Sequence, residues 1–215
     1  MHLSLTHRRG LSRVRCAVQR KALPVRVFVA RHGETTWNLA GRYQGRRESA
    51  LSALGMSQAF ALSDAMVQAR VERVVSSPLL RCTATATPVA DRLNVQLETD
   101  DRLLEIAHGT WEGRLRDEIA ANDPLRYRAW REDPAHVAFD GGERIGDVLA
   151  RWRAFAAALQ PSCTTLVVTH DAVVRVALVL AQGRALDAFW DAPVGNGSYA
   201  AFDVDGERWT LIALS

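Results

Sequence analysis

Short apolar runs alternate along the chain with longer segments in which apolar residues recur every three or four positions. The runs predict buried strands, and the recurring spacing predicts amphipathic helices. The predicted strands cover 25–30, 71–77, 94–100 and 164–170, with two closing strands near 198–204 and 208–213, and the predicted helices cover 54–70, 79–93, about 143–159 and 172–182. This alternation predicts an α/β fold with a mostly parallel sheet and helices on both faces.

Two segments depart from the regular pattern. Pro88 lies inside the second predicted helix, where it removes a backbone donor, so we expect a kink or a shortened helix. Residues 101–140 are irregular and predict a small cap over a site, at about 106–140. The cap holds five arginines, which either favour an acidic or multiply phosphorylated partner or form a solvated helix face. They are Arg114, Arg116, Arg126, Arg128 and Arg131.

Composition and charge narrow the classes of function. The 215 residues suit one compact domain, predicted over 25–215. Residues 1–24 hold six basic residues and no acidic one, which predicts a disordered extension, with a transit peptide or an upstream start codon as alternatives. The rest of the chain is mildly acidic, so we expect no binding to nucleic acid. No apolar run reaches membrane-spanning length.

Cysteine and arginine usage add two expectations. The three cysteines, Cys16, Cys82 and Cys163, lie far apart without metal-ligand spacing, which favours a reducing compartment and a cytoplasmic location. Lys21 is the only lysine among the 27 basic residues. Codon usage alone is sufficient to explain this excess of arginine, but it also means that any anion site here uses guanidinium groups.

Candidate catalytic residues follow the predicted strands. His32 and His170 each come at the end of an apolar run, and the carboxyl ends of parallel strands are where α/β sheets bind ligands. With Arg31, Arg81 and Glu105 they suit a phosphomonoester. Arginines would hold the phosphoryl oxygens, a neutral imidazole would attack phosphorus, and a carboxyl group would protonate the leaving oxygen. No metal or other cofactor is expected for this chemistry.

The motifs resemble a known family. "RHGETTWN", "GRYQG", "SSPLLRCTATA", "LLEIAHGTWEG" and "VVTHDAVVR" occur in the order found in the histidine phosphatase superfamily, the phosphoglycerate mutase-like branch. The resemblance implies a three-layer α/β/α sandwich. It also implies that His32 becomes phosphohistidine and that Glu105 donates the proton. The residues that it implies at the phosphate are Arg31, Asn38, Gln44, Gly45, Arg81, His170 and Asp171.

Departures from the family pattern concern three positions. Asp171 replaces the usual glycine; its N–H can reach phosphate, but its carboxylate must point away or bind a cationic part of the substrate. Glu48 stands where aspartate is frequent. Arg144 replaces a usual serine and either adds charge at the substrate or lies on the surface.

Three functions remain open at this stage. The compact "GTWEG" segment lacks the insertion that supplies substrate-binding groups in the mutases, so we predict a phosphatase acting on a small phosphorylated metabolite. Phosphoglycerate mutase activity and a non-catalytic phosphate-binding role are the alternatives. Sugar phosphates, phosphoglycerate derivatives, nucleotides and cobalamin-pathway phosphates all fit as substrates.

We also consider a homodimer. His108 either contacts the substrate or serves loop structure, and we expect the second. Trp37, Trp111 and Trp130 either line a pocket or fill the core, and we expect the core.

Overall fold

A six-stranded sheet forms the centre of the fold. The computed structural model describes residues 24–159, 161–191 and 194–215, so the predicted extension, apart from Pro24, lies outside the described residues. The strands are β1 (Val25–Arg31), β2 (Arg73–Ser76), β3 (Leu97–Thr99), β4 (Thr165–Thr169), β5 (Tyr199–Asp205) and β6 (Arg208–Leu214). Their order is β3-β2-β4-β1-β5-β6. The pairs β1–β4, β2–β3 and β2–β4 are parallel, whereas β5 runs antiparallel to β1 and β6, which confirms the mostly parallel sheet.

Helices cover both faces of this sheet. They are α1 (Thr36–Leu39), α2 (Ala53–Gln68), α3 (Leu80–Leu93), α4 (Arg116–Asn122), α5 (Pro124–Glu132), α6 (Ile145–Leu159) and α7 (Asp171–Ala181). Phe28 and Val168 join the apolar core with α2 and α3, whereas their neighbours Val29 and Val167 join the core with α6 and α7. Because side chains alternate along a strand, consecutive residues serve opposite layers and give the predicted three-layer sandwich. Within the described residues, no helix has the length and apolar composition to span a membrane.

Strand register places the two predicted catalytic histidines at one edge. In the parallel pair β1–β4, Arg31 lies opposite Thr169. The next residue of each strand is therefore His32 and His170, and the His32 backbone N–H donates to the Thr169 carbonyl at 2.9 Å. Both imidazoles consequently leave the sheet at its carboxyl edge, at neighbouring positions.

The cap packs on this edge through an aromatic cluster. Helices α4 and α5 enclose Trp111, Trp130 and Phe139, all of which are buried. Their rings meet edge to face, with centroids 5.0 Å apart for Trp111–Phe139 and 5.1 Å for Trp130–Phe139. Trp111 and Trp130 therefore lie in the core as expected, whereas Trp37 is half-buried.

The expected shortening of the helix at Pro88 is wrong. Helix α3 continues from Leu80 to Leu93 through the proline. Buried residues lie on both sides of it, with Cys82 and Ala86 before and Val89 after, so packing on the sheet stabilises the helix across the missing hydrogen bond. In addition, Ser63 of α2 donates its hydroxyl to the Pro88 carbonyl at 3.0 Å.

Two glycines let the loop after β1 lie against the start of α2. A Cβ on Gly33 would lie 2.5 Å from the Gly55 carbonyl oxygen, and one on Gly55 would lie 2.0 Å from the Glu34 carbonyl oxygen. These distances are far below van der Waals contact, so the two backbones can meet only without side chains. Helix α2 thus fixes the backbone that carries His32.

Candidate active site

One cavity of about 380 Å³ opens at the carboxyl edge of the sheet, beneath the cap. Eight of the nine predicted site residues line it: Arg31, His32, Asn38, Gln44, Gly45, Arg81, Glu105 and Asp171. They come from four separate stretches of the chain, so only the fold brings them together. The ninth, His170, is fully buried and does not line the cavity that the described residues form.

His32 presents one unprotonated ring nitrogen to the cavity. Its Nδ1 lies 2.7 Å from the Gly33 carbonyl oxygen, which can only accept a hydrogen bond, so Nδ1 carries the proton. Nε2 is then unprotonated, and its lone pair accepts a hydrogen bond from Arg81 Nε at 3.3 Å. Burial, followed by the charges of Arg81 and Arg31, holds the pKa of His32 well below its usual value. The His32 imidazole is therefore neutral at physiological pH.

Arg81 is a buried cation that no carboxylate neutralises among the described residues. Only 1% of the residue is exposed. Besides His32, its guanidinium donates to the carbonyl oxygens of Arg47 at 2.9 Å and Gly45 at 2.7 Å. Neutral acceptors fix the orientation of the group but leave its charge uncompensated, which favours an anion in the cavity.

Gly45 provides its carbonyl through a backbone that requires glycine. Its φ is +53°, in the left-handed region, and a Cβ would lie 2.0 Å from Glu112 Oε1. The same carboxylate oxygen accepts from the backbone N–H of Arg46 at 3.1 Å and of His108 at 3.0 Å. The "GRYQG" loop is thereby tied to the cap segment.

The Asp171 carboxylate forms ion pairs with two arginines of the chain itself, which is neither of the two expected outcomes. Oδ1 lies 3.1 Å from Arg31 Nη1, and Oδ2 lies 2.8 Å from Arg175 Nε one helical turn along α7. Arg31 Nη1 also donates to the Val194 carbonyl at 2.7 Å. Arg31 is thus held in place, as Arg81 is, but unlike Arg81 it is partly neutralised.

Glu105 is a buried carboxyl group beside these charges. Its Oε1 accepts from its neighbour Ile106 N at 3.0 Å and from Ala172 N, at the start of α7, at 3.3 Å. Burial and the negative charge of Asp171 raise the pKa of Glu105, against the opposing charges of Arg81 and Arg31. A raised pKa favours the protonated form, which can donate a proton.

His170 packs against the His32 ring. The His32 and His170 ring centroids are 5.3 Å apart, edge to face. His170 Nε2 lies 2.8 Å from the Ser77 hydroxyl and 3.4 Å from Cys82 Sγ. Burial and then the charge of Arg81 hold the pKa of His170 well below its usual value, so this ring is neutral as well. It supports the His32 ring without adding charge.

Three amide side chains also line the cavity. Asn38 Oδ1 accepts from the backbone and the hydroxyl of Thr35, both at 3.0 Å, and from Asn196 Nδ2 at 3.3 Å. Asn196 also donates to the His32 carbonyl at 3.2 Å. The Gln44 Oε1 atom is buried without a partner among the described residues, so it is free for a donor on a ligand.

Sequence reasoning missed several residues that line the cavity. Asn196 has no flanking motif, and Tyr43, Phe189 and Trp190 are spaced like ordinary core residues. His108, expected to serve loop structure, is buried in the cavity wall, and both of its ring nitrogens lack partners among the described residues. Burial lowers the pKa of His108 to about 3.

The departures at Glu48 and Arg144 have local roles. Both Glu48 carboxylate oxygens accept from Leu80 N, at 3.2 and 3.1 Å, so Glu48 caps α3 just before Arg81. Arg144 is exposed, and its backbone N–H donates to Asp147 at 2.8 Å. Among the described residues, no group of three or more histidine, cysteine, aspartate or glutamate side chains is arranged to hold a metal ion.

Comparison with known proteins gives consistent matches over almost the whole described chain. Residues 27–215 match the family model of the histidine phosphatase superfamily, branch 1. Phosphoserine phosphatase 1 of Hydrogenobacter thermophilus is 32% identical over 194 residues, covering 89% of this chain and 92% of that protein. Glucosyl-3-phosphoglycerate phosphatase of Mycobacterium tuberculosis is 32% identical over 207 residues, covering 86% and 92%. A mycobacterial glucosyl-3-phosphoglycerate phosphatase structure, a complex with VO3, superimposes with a TM-score of 0.82 at 30% identity, covering 88% and 98%.

Proposed function

The chain belongs to the histidine phosphatase superfamily, branch 1, and is a phosphatase, and we propose that it hydrolyses phosphomonoesters through a phosphohistidine on His32 without a metal ion. One observation supports this proposal most directly: the buried, uncompensated Arg81 cation contacts the unprotonated Nε2 atom of His32. A phosphoryl group there would meet both the charge that holds its oxygens and the nitrogen that attacks it. The volume of the cavity, about 380 Å³, suits a small phosphorylated metabolite.

The first half of the reaction forms a nitrogen–phosphorus bond. His32 Nε2 attacks phosphorus while Arg31 and Arg81 hold the equatorial oxygens, and the bond from phosphorus to the ester oxygen breaks. Glu105, protonated because its pKa is raised, gives its proton to the departing oxygen. The alcohol leaves, and His32 carries the phosphoryl group.

The second half returns the enzyme to its starting state. Glu105, now a carboxylate, takes a proton from a water molecule whose oxygen attacks phosphorus. The nitrogen–phosphorus bond breaks, its electron pair returns to Nε2, and inorganic phosphate is released. His32 is neutral again because its pKa is low, and Glu105 is protonated again.

Trapping the intermediate tests the proposal. After exhaustive dialysis against EDTA, the enzyme is mixed with a ³²P-labelled phosphomonoester and quenched within milliseconds in alkali. We expect stoichiometric label that is stable in alkali and lost in acid, as phosphohistidine requires, and an unchanged rate of phosphate release. A strict need for an added divalent ion, or the absence of label, would contradict the proposal. Isomerisation of 3-phosphoglycerate faster than phosphate release would favour the mutase alternative.

The pH dependence of kcat/KM in the variant Asp171→Asn provides a further prediction. Glu105 acts while protonated, so kcat/KM falls as pH rises through its pKa. Asp171 helps raise that pKa, and removing its charge makes the carboxyl group easier to ionise. We therefore expect the alkaline limb of kcat/KM to move to lower pH in Asp171→Asn. The exposed Asp91→Asn on α3 is the matched control and should keep the wild-type profile. An alkaline limb that stays in place or moves to higher pH in Asp171→Asn would show that Asp171 does not tune the acid.

A further inference from the structure

A second group of cations lies at the cap side of the cavity. Of the five cap arginines, Arg116 at the start of α4 and Arg131 near the end of α5 line the cavity. Arg126 instead forms ion pairs with Asp123 and Asp140. The structure thus distinguishes cap arginines that line the cavity from one that forms ion pairs, which the sequence alone does not show.

Arg131 is held in place without being neutralised. Its guanidinium carbon lies 4.5 Å from the centroid of the Trp190 ring, a cation–π contact, and Trp190 Nε1 donates to the Trp130 carbonyl at 2.7 Å. Arg175 lies 4.9 Å from the same ring but is paired with Asp171. Among the described residues, no carboxylate lies within ion-pair distance of Arg131. Its charge is therefore available to a ligand.

Arg116 acts on the same part of the cavity wall. Burial and the neighbouring Tyr127 raise the pKa of the Tyr43 phenol, whereas the charges of Arg131 and Arg116 lower it. Tyr43 lines the same cavity as the two arginines. Arg116, like Arg131, has no carboxylate partner among the described residues. The Tyr43 hydroxyl stays protonated and can donate a hydrogen bond.

We propose that Arg116 and Arg131, together with the Tyr43 hydroxyl, form a second anion site that receives an acidic group of the substrate. That group is a carboxylate or a second phosphate on the same molecule whose phosphoryl group lies at His32, so the inference rests on the proposed function. The phosphoryl group is already matched by Arg31 and Arg81. The charges of the two cap arginines remain uncompensated until a further anionic group binds. The planar guanidinium group matches the geometry of both carboxylate and phosphate.

Matched substrate pairs test the site in the wild-type enzyme. Glycerol 3-phosphate and 3-phosphoglycerate differ by a carboxylate, whereas fructose 6-phosphate and fructose 1,6-bisphosphate differ by a phosphate. We expect kcat/KM at least about tenfold higher for the acidic member of one pair, and the pair that shows it identifies the acidic group. Because both arginines are exposed, the preference should shrink as ionic strength rises. Equal kcat/KM within both pairs would overturn the inference.

Substitutions then locate the preference. The double variant Arg116→Gln/Arg131→Gln should raise KM about tenfold for the preferred acidic substrate and leave its kcat unchanged, because a remote tail binds equally in ground and transition states. Arg131→Lys keeps the charge and should retain most of the preference. Arg128→Gln, an exposed change on the same helix outside the cavity, is the control and should change nothing.

The result separates this inference from the proposed function. A preference that survives in the double variant, or that Arg128→Gln removes equally, would contradict the second anion site alone, provided that His32-dependent hydrolysis of glycerol 3-phosphate persists. If no substrate shows hydrolysis that depends on His32, the proposed function fails, and the second anion site fails with it. Melting curves by circular dichroism establish that each variant is folded.

Discussion

Alanine in place of His32 is expected to lower phosphate release on the order of 10⁴-fold, because the nitrogen that forms the bond to phosphorus is removed. Among the described histidines, only His32 has a ring nitrogen that accepts a hydrogen bond from Arg81, whereas His170 Nε2 contacts Ser77. The variant is measured in steady state with p-nitrophenyl phosphate and with an alkyl phosphate. Both rates should fall together, because the same nucleophile serves both substrates.

Two controls make the His32→Ala result specific. His136→Ala removes an exposed histidine that pairs only with Asp133, so the rate should not change. Binding of inorganic phosphate, measured by calorimetry, should persist in His32→Ala because Arg31 and Arg81 remain. More than about one hundredth of the wild-type rate in a folded His32→Ala protein would contradict the histidine mechanism.

Glutamine in place of Glu105 should produce a loss that depends on the leaving group. Glutamine keeps an oxygen that can accept from Ile106 and Ala172, but it has no proton to donate. An alkoxide leaves poorly without a proton, so turnover of an alkyl phosphate should fall about 10²- to 10⁴-fold. p-Nitrophenolate is a stable anion and leaves without help, so its release from the first half of the reaction should be little affected.

The second half of the reaction then becomes visible in Glu105→Gln. Without the carboxylate to deprotonate water, the phosphohistidine should hydrolyse slowly. Stopped-flow measurements with p-nitrophenyl phosphate are expected to show a burst of p-nitrophenolate equal to the enzyme concentration, followed by slow turnover. Glu132→Gln, an exposed change at the end of α5, should show the wild-type progress curve. Equal losses on both substrates with no burst would show that Glu105 is not the acid.

The periodicity of the chain was sufficient for the main strands and helices but not for α4 and α5, which lie in the segment 101–140 where no regular spacing is seen. The predicted strand at 25–30 and the observed β1 (Val25–Arg31) differ by one residue, because an apolar run between polar neighbours has few alternative registers. The predicted strand at 94–100 was too long: only Leu97–Thr99 pair, since Asn94 ends α3 with a left-handed φ of +52°. A sequence pattern does not show which residues continue a sheet ladder and which close a helix.

The positions of the site residues were predictable to the extent that motifs surround them. Arg31, His32, Arg81 and Glu105 stand in ordered motifs, and the structure brings them to one cavity. Asn196 stands in no motif, and its contact with the His32 carbonyl depends on a loop 164 residues away. Such long-range contacts leave no local signal, because neither partner alters the periodicity of its own segment.

The sequence by itself determined three things: the succession of the main strands and helices along the chain, the family, and the types of charged group at the strand ends. These follow from apolar spacing and from residues that are neighbours in the chain. The tertiary structure alone decided which charges are compensated. Among the described residues, Asp171 partly neutralises Arg31, whereas Arg81 hydrogen-bonds to carbonyl oxygens and an imidazole. Two cap arginines line the cavity, and a third forms ion pairs. The physical reason is that burial and Coulomb energy depend on distance in space, and residues far apart in the chain set that distance only once the chain is folded.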